Sequence, residues 1–228
     1  MKTSFPPVYN EVMKKTILVS VLFFVLVSGA VAYNVDARIG LAWAKTHLTD
    51  PNPSRTSVSL GDADINGLGI SLGTAVEYYN NTAFWADLNF VFPGDFKFDG
   101  APIPIQANSY LFYTDFATGG AFTFDMKNLE LYLGLGYSFC ELLYRYNLTD
   151  TRYREYTLLA SGPAVYLAAK MDLGKALSLQ LTSVPKLTIF TKRETVDRSR
   201  YSDKYRDKDF LFKTGFEVNA SLSLVYTF

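Results

Sequence analysis

The last twenty residues of the chain alternate between apolar and polar positions. From Phe210 to Phe228, every second residue is aromatic, aliphatic or small, and most residues between them are polar or glycine. A period of two residues is the pattern of a β-strand with one apolar and one polar face. Strands of globular proteins usually span about 5–6 residues, so this length favours a membrane-spanning strand that projects beyond the bilayer. The alternative is a long edge strand of a soluble sheet, whose exposed aromatic side chains would promote aggregation.

The same alternation recurs in seven earlier segments. We predict strands in residues 33–46, 67–79, 84–92, 110–125, 129–139, 157–171 and 177–189, followed by the final strand in 209–228. The fourth segment is the least regular, and its Gly119-Gly120 pair predicts a bend or bulge. Pro163 weakens the sixth strand because proline cannot donate a ladder hydrogen bond.

The connections between these strands alternate in length. Long connections are predicted at 47–66, 93–109, 141–156 and 191–208, and short turns near residues 80, 127 and 173. Outer-membrane barrels have short periplasmic turns and long extracellular loops, and an even strand number places both termini in the periplasm. The sequence therefore predicts an all-β fold, an eight-stranded antiparallel up-and-down transmembrane β-barrel.

The polarity of the two strand faces distinguishes a membrane barrel from a soluble one. A soluble barrel has apolar side chains inside and abundant charge outside. Here the polar faces consist mostly of Gly, Ala, Ser, Thr and Asn with sparse charges, which suits a narrow interior. We therefore expect the apolar faces to contact lipid.

The N-terminal region has the features of a targeting segment. Lys14 and Lys15 precede a mostly apolar run, and Ala30-Val31-Ala32 ends it, as in a secretory signal peptide. We predict a signal peptide in residues 13–32, an extension from an upstream start codon in 1–12, and a mature barrel in 33–228. No later stretch approaches eighteen uninterrupted apolar residues, so the pattern excludes a helical membrane protein.

Composition excludes several other classes of protein. The formal net charge is zero, so no global field attracts nucleic acid. Cys140 is the only cysteine and His47 the only histidine, which excludes an intramolecular disulfide and a zinc-type cluster. We predict neither a metal nor a cofactor. The 16 Tyr and 18 Phe residues fit aromatic belts at two membrane interfaces.

The C-terminal pattern carries a resemblance to a known group of proteins. Leu222, Leu224, Tyr226 and Phe228 share one face and resemble the terminal signal that the bacterial barrel-assembly machinery recognises. With the signal peptide, eight strands and four long loops, the chain resembles the small OmpW-like outer-membrane barrels, including spirochaetal members. The resemblance implies that a small hydrophobic solute enters a lumen pocket and leaves through a lateral opening. It transfers no binding residue.

The predicted interior contains charges of both signs. If every strand keeps its alternation, the candidates for lumen residues are Asp36, Arg38, Glu77, Asp87, Glu130, Lys170, Lys186, Lys213 and Glu217. Such charges should pair in a narrow interior, because an isolated buried charge is very costly. They form either a salt-bridge ladder that plugs the barrel or a gate or selectivity ring. An eight-stranded lumen is too narrow for a wide aqueous pore.

The connection at 191–208 is the most highly charged. Its basic residues are Lys192, Arg193, Arg198, Arg200, Lys204, Arg206 and Lys208. Four acidic residues accompany these seven, which leaves a net charge of +3. The segment is either a solvated loop or a site that attaches to an anionic host or lipid surface. An adhesive barrel with a host or immune partner is therefore the alternative function.

His47 raises a third hypothesis, a lipid-modifying enzyme at the barrel rim. Ser54, Ser57, Asp50 and Asp62 lie near it in sequence, but none belongs to a recognisable nucleophile motif. We therefore expect no enzymatic activity.

Overall fold

A computed structural model of the chain describes seven segments. They are residues 34–48, 62–78, 81–98, 100–102, 110–149, 152–199 and 203–228, apart from some side chains at the outer ends of the strands. The predicted signal peptide and upstream extension lie outside these residues. Within them, no helix is long and apolar enough to cross a membrane.

Eight strands make up the barrel. They are β1 (Asn34–Leu48), β2 (Ala63–Tyr78), β3 (Thr82–Phe98), β4 (Tyr110–Met126), β5 (Leu129–Thr149), β6 (Arg152–Asp172), β7 (Leu177–Ser199) and β8 (Asp203–Thr227). Each strand pairs antiparallel with the next, and β8 pairs with β1, which closes the sheet. A two-residue strand, Ala101–Pro102, adds to the outer end of β3. The predicted eight-stranded antiparallel barrel is confirmed.

An apolar band surrounds the outside of this barrel. Leu41 on β1, Leu68 on β2 and Leu135 on β5 are 69–73% exposed, as expected of side chains that contact lipid rather than water. Aromatic residues such as Trp43, Phe92, Phe139, Phe216 and Tyr226 are also exposed on the outer face. Around a sheet that closes on itself, this apolar exterior is that of an outer-membrane barrel.

Turn residues fit the short connections on the periplasmic side. Asn81, before β3, and Lys127, between β4 and β5, have positive φ angles of 55° and 56°. Asparagine is several-fold enriched in this left-handed region. The third turn lies between β6 and β7, where the Leu173 and Gly174 amides donate to the Leu177 carbonyl oxygen.

Two of the predicted long connections are mostly strand. Residues 141–156 belong to β5 and β6, and residues 191–208 to β7 and β8, with only 150–151 and 200–202 outside the described residues. The prediction was wrong because these segments lack the apolar face of a lipid-exposed strand. Their ladders instead place opposite charges in register, as at Arg145↔Glu155, Arg154↔Asp197 and Glu194↔Lys208. Cross-strand pairs of this kind stabilise a sheet in water.

The other two long connections are shorter than predicted. β1 extends to Leu48 and β2 begins at Ala63, while β3 extends to Phe98. β1, β2 and β3 therefore continue beyond the outer ends that the sequence pattern predicted.

The alternation in β8 is interrupted, which the sequence pattern missed. Thr188 pairs with Gly215 but Phe190 pairs with Phe212, so β8 has two residues where β7 has one. The inside–outside alternation predicted for residues 210–228 is therefore not continuous across this bulge. Its inward face is observed from Gly215 to Val225.

Gly119-Gly120 makes neither a bend nor a bulge. The ladders from β4 to β3 and β5 pass through both residues without a register shift. A Cβ on Gly136, directly opposite Gly119, would lie 2.7 Å from the Trp85 ring, and one on Gly134 would lie 2.9 Å from Trp85 Nε1. The glycines of β5 thus make room for Trp85, which is fully buried.

Pro163 lies at a discontinuity in the ladder. The register of β6 on β7 shifts between Ser161 and Ala164. The missing N–H of Pro163 therefore falls where the regular ladder is already interrupted.

Gly136 and Gly120 provide a test of this packing. We expect Gly136→Ala to destabilise the barrel by about 1–3 kcal/mol, because the added methyl group has no space. Gly120→Ala is the matched control, since a Cβ there meets no heavy atom within 4 Å. Urea unfolding in detergent micelles, followed by tryptophan fluorescence, measures both. Equal unfolding midpoints for the two variants would contradict the packing role.

Candidate functional site in the barrel interior

The interior of the barrel is divided into three layers along its axis. The periplasmic layer comprises Asp36, Glu77, Glu130, Tyr132 and Lys170. The central layer comprises Arg38, Asp87, Asp115, Lys186 and Glu217. The outer layer is apolar.

Lys170 organises the periplasmic layer. Its Nζ lies 2.8 Å from Asp36 Oδ2, 2.9 Å from Glu130 Oε2 and 3.4 Å from Glu77 Oε1. These four residues come from β6, β1, β5 and β2, so one ammonium group joins strands that are not neighbours. Tyr132 completes the layer: its hydroxyl oxygen lies 2.5 Å from Glu77 Oε1 and 2.8 Å from Glu130 Oε2, and it can donate its one proton to either carboxylate.

A cavity opens beneath this layer at the periplasmic end. Its volume is about 760 Å³, and its lining includes Glu77, Glu130, Lys170, Asp172 and Lys175. The periplasmic layer forms its inner surface. Water therefore reaches Lys170 from the periplasm, whereas the central layer lies deeper in the barrel.

Arg38 forms one half of the central layer. Its Nη2 lies 3.1 Å from Asp87 Oδ1 and donates to the Thr74 carbonyl oxygen at 3.1 Å. Its Nη1 donates to the hydroxyl oxygen of Tyr166, which also accepts from Gln180 at 2.9 Å. Arg38 thus links β1 to β3 and, across the barrel, to β6.

Lys186 forms the other half. Its Nζ contacts Asp115 Oδ2 and lies 3.2 Å from Glu217 Oε1. Asn219 donates to Asp115 at 2.6 Å, and Tyr113 donates to Glu217 at 2.5 Å. The five charged residues of the central layer are each at most 5% exposed. Charged groups this deeply buried require partners of opposite charge, because an unpaired buried charge is very costly.

An aromatic stack fills the space between the charged groups. Trp85 and Tyr166 stack with ring centroids 4.4 Å apart and planes inclined by 13°. Both rings are fully buried. Together with the central layer, the stack fills the middle of the barrel with side chains, as expected of an eight-stranded lumen.

The outer layer is apolar, in contrast to the polar interior that the sequence pattern predicted. Its buried residues are Ala44, Leu48, Ala63, Ile65, Val91, Phe96, Tyr113, Cys140, Leu142, Tyr144, Tyr156, Leu158 and Ala160. Several of them belong to the segment that was predicted as the loop 141–156. Once that segment is paired as strand, its even-numbered residues continue the inward face of β5 and β6.

A bulge in β3 adds Phe96 to the outer layer. Asn66 pairs with Asp95 and Gly67 with Pro93, which leaves Gly94 as an extra residue. The extra residue reverses the alternation, so Phe96 points inward and packs edge-on against Tyr144 at 5.6 Å. Alternation alone would have placed Phe96 on the lipid face.

The structure places eight of the nine predicted lumen residues inside the barrel. Only the Lys213 side chain lies outside the described part of the chain. Asp115 was missed, although it contacts Lys186 as Glu217 does. The fourth segment was too irregular for an inward face to be assigned. The spacing of Tyr113, Asp115 and Ala117 at every second residue would have indicated that Asp115 points inward. Whether these residues act as a plug or a gate stays a prediction.

The predicted basic segment lies on paired strands rather than on a loop. Lys192, Arg193 and Arg198 belong to β7, and Lys204, Arg206 and Lys208 to β8. Arg200 is not described, and the side chain of Lys192 alone is described among these basic residues. Anion attachment therefore stays a prediction.

The C-terminal residues lie on the lipid face. Leu222, Leu224 and Tyr226 are about half exposed and Phe228 is 74% exposed. Phe228 also donates its amide to the Val35 carbonyl oxygen at 3.0 Å. Recognition of this segment by the assembly machinery stays a prediction.

His47 lies on the outer face of β1 at the extracellular rim. Its Nδ1 is 2.8 Å from Asp64 Oδ1, and its Nε2 is 3.8 Å from Asp62 Oδ2. Asp50, Ser54 and Ser57 fall outside the described residues. Within those residues, no group of three or more His, Cys, Asp or Glu side chains could hold a metal ion.

Solved structures of outer-membrane proteins share this fold. A major outer membrane protein from Thermus thermophilus aligns with a TM-score of 0.54 and 12% identity, over 85% of this chain and 99% of that one. OprG from Pseudomonas aeruginosa aligns with a TM-score of 0.52 and 11% identity, over 86% and 96%. The outer membrane protease OmpT from Escherichia coli aligns with a TM-score of 0.50 and 12% identity, over 87% and 98%.

These similarities define the class of protein. No family model matches the chain, and no curated protein matches it in sequence. The fold and the apolar exterior are those of a small outer-membrane β-barrel. Because the fold includes a protease, fold alone does not determine whether a member is an enzyme.

Lys186 allows the energetics of the central layer to be tested. We expect Lys186→Met to destabilise the barrel by about 3–5 kcal/mol, because Asp115 and Glu217 would lose their shared cation while buried. Lys175→Met, in an exposed periplasmic turn, is the control and should leave stability unchanged. Urea unfolding in micelles and the heat-dependent shift on a gel measure both. A Lys186→Met barrel as stable as the control would show that the pairing contributes little.

Proposed function

We propose that the barrel admits small, mainly hydrophobic solutes from the outside and releases them sideways into the outer membrane. The observation that carries this proposal is the order of the layers. An apolar solute entering from outside meets the outer apolar layer first, where its transfer from water is favourable. Beneath that layer it meets the buried charges of the central layer, with which an apolar solute can form no hydrogen bond or ion pair.

The central layer opposes passage along the axis. Arg38 and Lys186 are bonded across the barrel to strands on the other side. An apolar solute on the axial path would separate these ion pairs without replacing their partners, which is costly. A lateral route avoids this cost.

The seam between β3 and β4 is the part of the wall that supports a lateral route. The ladder between these strands ends at Val91↔Tyr113, although β3 continues to Phe98 and β4 begins at Tyr110. Val91 and Tyr113 both belong to the outer apolar layer. On the lipid side, Phe90 and Phe112 lie 6.1 Å apart. The seam therefore connects an apolar interior to an aromatic part of the lipid face.

A second candidate function is binding of a host or immune partner by the extracellular sheet. Arg145 on β5 lies 4.2 Å from the ring centroid of Tyr153 on β6. Tyrosine and arginine are enriched at the energetically dominant positions of protein interfaces. Replacing residues 191–208 with an unrelated hairpin should then remove partner binding and leave folding intact.

We propose no enzymatic role. His47 points away from the interior, and its partners Asp62 and Asp64 are acidic residues rather than a nucleophile. A lipid-modifying activity that disappears in His47→Ala would overturn this part of the proposal.

A disulfide across the seam tests lateral release. If the ladder continued one step past Val91↔Tyr113, residue 92 would pair with residue 112. Phe92→Cys with Phe112→Cys therefore allows a disulfide to hold β3 and β4 together at the seam. We expect oxidation to reduce uptake of an apolar solute into proteoliposomes at least about tenfold, with recovery on reduction. All variants carry Cys140→Ser to remove the native thiol.

A second cysteine pair controls for disulfide formation itself. Thr82→Cys with Phe122→Cys joins the same two strands at a pair that already belongs to the ladder. Uptake through this variant should not depend on oxidation. If the locked seam also leaves uptake unchanged, lateral release at this position is wrong. If the unmodified barrel takes up no apolar solute and is electrically silent in planar bilayers, the proposed function fails.

A further inference from the structure

One strand of the barrel has a long edge with no partner in the described part of the chain. β1 pairs with β8 from Asp36↔Thr227 to His47↔Phe216 and ends at Leu48. β8 begins much farther out, at Asp203, and from there to Gly215 the described residues pair it only with β7. This unpaired edge, residues 203–215 of β8, is on the order of 40 Å long.

The edge begins beyond the lipid-facing residues described on β8. Phe216, which is 56% exposed on the outer face, is the outermost of them. Beyond Phe216, the described residues pair β8 with β7 on one side only. Every second residue there points its N–H and C=O away from β7, toward the side without a described strand. Unpaired groups in such a row are a template for another strand.

A second copy of this chain in the same membrane cannot pair antiparallel with the edge. Joining two identical edges antiparallel, as everywhere else in this sheet, requires a two-fold axis perpendicular to the strands. Such an axis would turn one barrel upside down relative to the other. Copies inserted in one membrane share a single orientation, so this pairing is excluded for them.

The composition of the segment that follows β1 in sequence argues against its acting as the missing strand. Residues 49–61 include Pro51 and Pro53. Proline has no N–H to donate and is disfavoured within a paired strand. The sequence therefore favours a strand from another molecule.

The residues of β8 indicate which strand would fit. Lys204, Arg206 and Lys208 alternate in sequence with acidic or aromatic residues. β7 pairs with this segment through opposite charges at Arg193↔Asp209 and Glu194↔Lys208. A strand on the other edge faces the same residues of β8, so it too should alternate acidic and basic residues.

We propose that the unpaired edge of β8 binds an extended peptide segment with alternating acidic and basic residues by antiparallel strand addition. In this mode, backbone hydrogen bonds supply much of the affinity and alternate side chains supply the selectivity. Unlike attachment of a basic loop to an anionic surface, the interaction depends on peptide amides. It is also independent of solute uptake by the barrel.

A peptide with the sequence of residues 190–199, FTKRETVDRS, is a suitable probe, because this segment already complements β8 from the other side. Binding of the labelled peptide to the full chain in nanodiscs is compared with binding of two N-methylated forms. One form is methylated on the even-numbered amides and the other on the odd-numbered amides, with the charges unchanged. We expect one form to bind at least about tenfold more weakly and the other to bind like the parent peptide.

Amide exchange supplies the second measurement. Without peptide, alternate amides in residues 203–215 should exchange rapidly, and the bound peptide should slow those amides. Protection of all of them without peptide would show that the chain's own loop covers the edge and would overturn the proposal. Equal weakening by both methylated forms, no binding of the parent peptide, or loss of all binding in about 0.5 M salt would overturn it as well.

Discussion

Lys170, Arg38 and Lys186 hold together strands that do not touch in the sheet. The ladder joins each strand only to its two neighbours, whereas these cations reach across the axis to carboxylates and a phenol on distant strands. Because these charged side chains are buried, removing one partner would leave an uncompensated charge and destabilise the barrel. Narrowness makes this arrangement feasible, since an eight-stranded barrel lets side chains from opposite walls meet. The cross-barrel pairs therefore both stabilise the wall and fill the lumen.

The proposed function follows from what lies along the barrel axis. The outer end of the interior is apolar, and its centre holds charged pairs. We expect the apolar layer to oppose ions and water, and the central layer to oppose apolar solutes. Under this proposal a hydrophobic molecule leaves through the wall, where the ladder between β3 and β4 ends next to Val91 and Tyr113.

Beyond the lipid, the outer face of the same sheet has a different composition. Its outer face no longer needs apolar residues, and neighbouring strands instead place acidic residues opposite basic ones. Strand pairing thus continues into water without an apolar surface that would aggregate. The extension is uneven, because β8 continues well past the end of β1. That unevenness, rather than the charge of the segment, creates the unpaired backbone edge.

The sequence by itself determined the strand number, the closed topology and the direction of each regular strand face, because a period of two residues assigns lipid and lumen sides directly. It also identified most of the lumen charges, since Asp36, Arg38 and Glu217 lie within unbroken alternation. Only the tertiary structure decided which charges meet, that Asp115 shares Lys186 with Glu217, and that bulges near Gly94 and Thr188 reverse the alternation. Register and bulges depend on how two strands hydrogen-bond to each other, and no single strand contains that information. For the same reason, the charged segments around residues 150 and 200 resembled loops in sequence and became strands only when each met its partner.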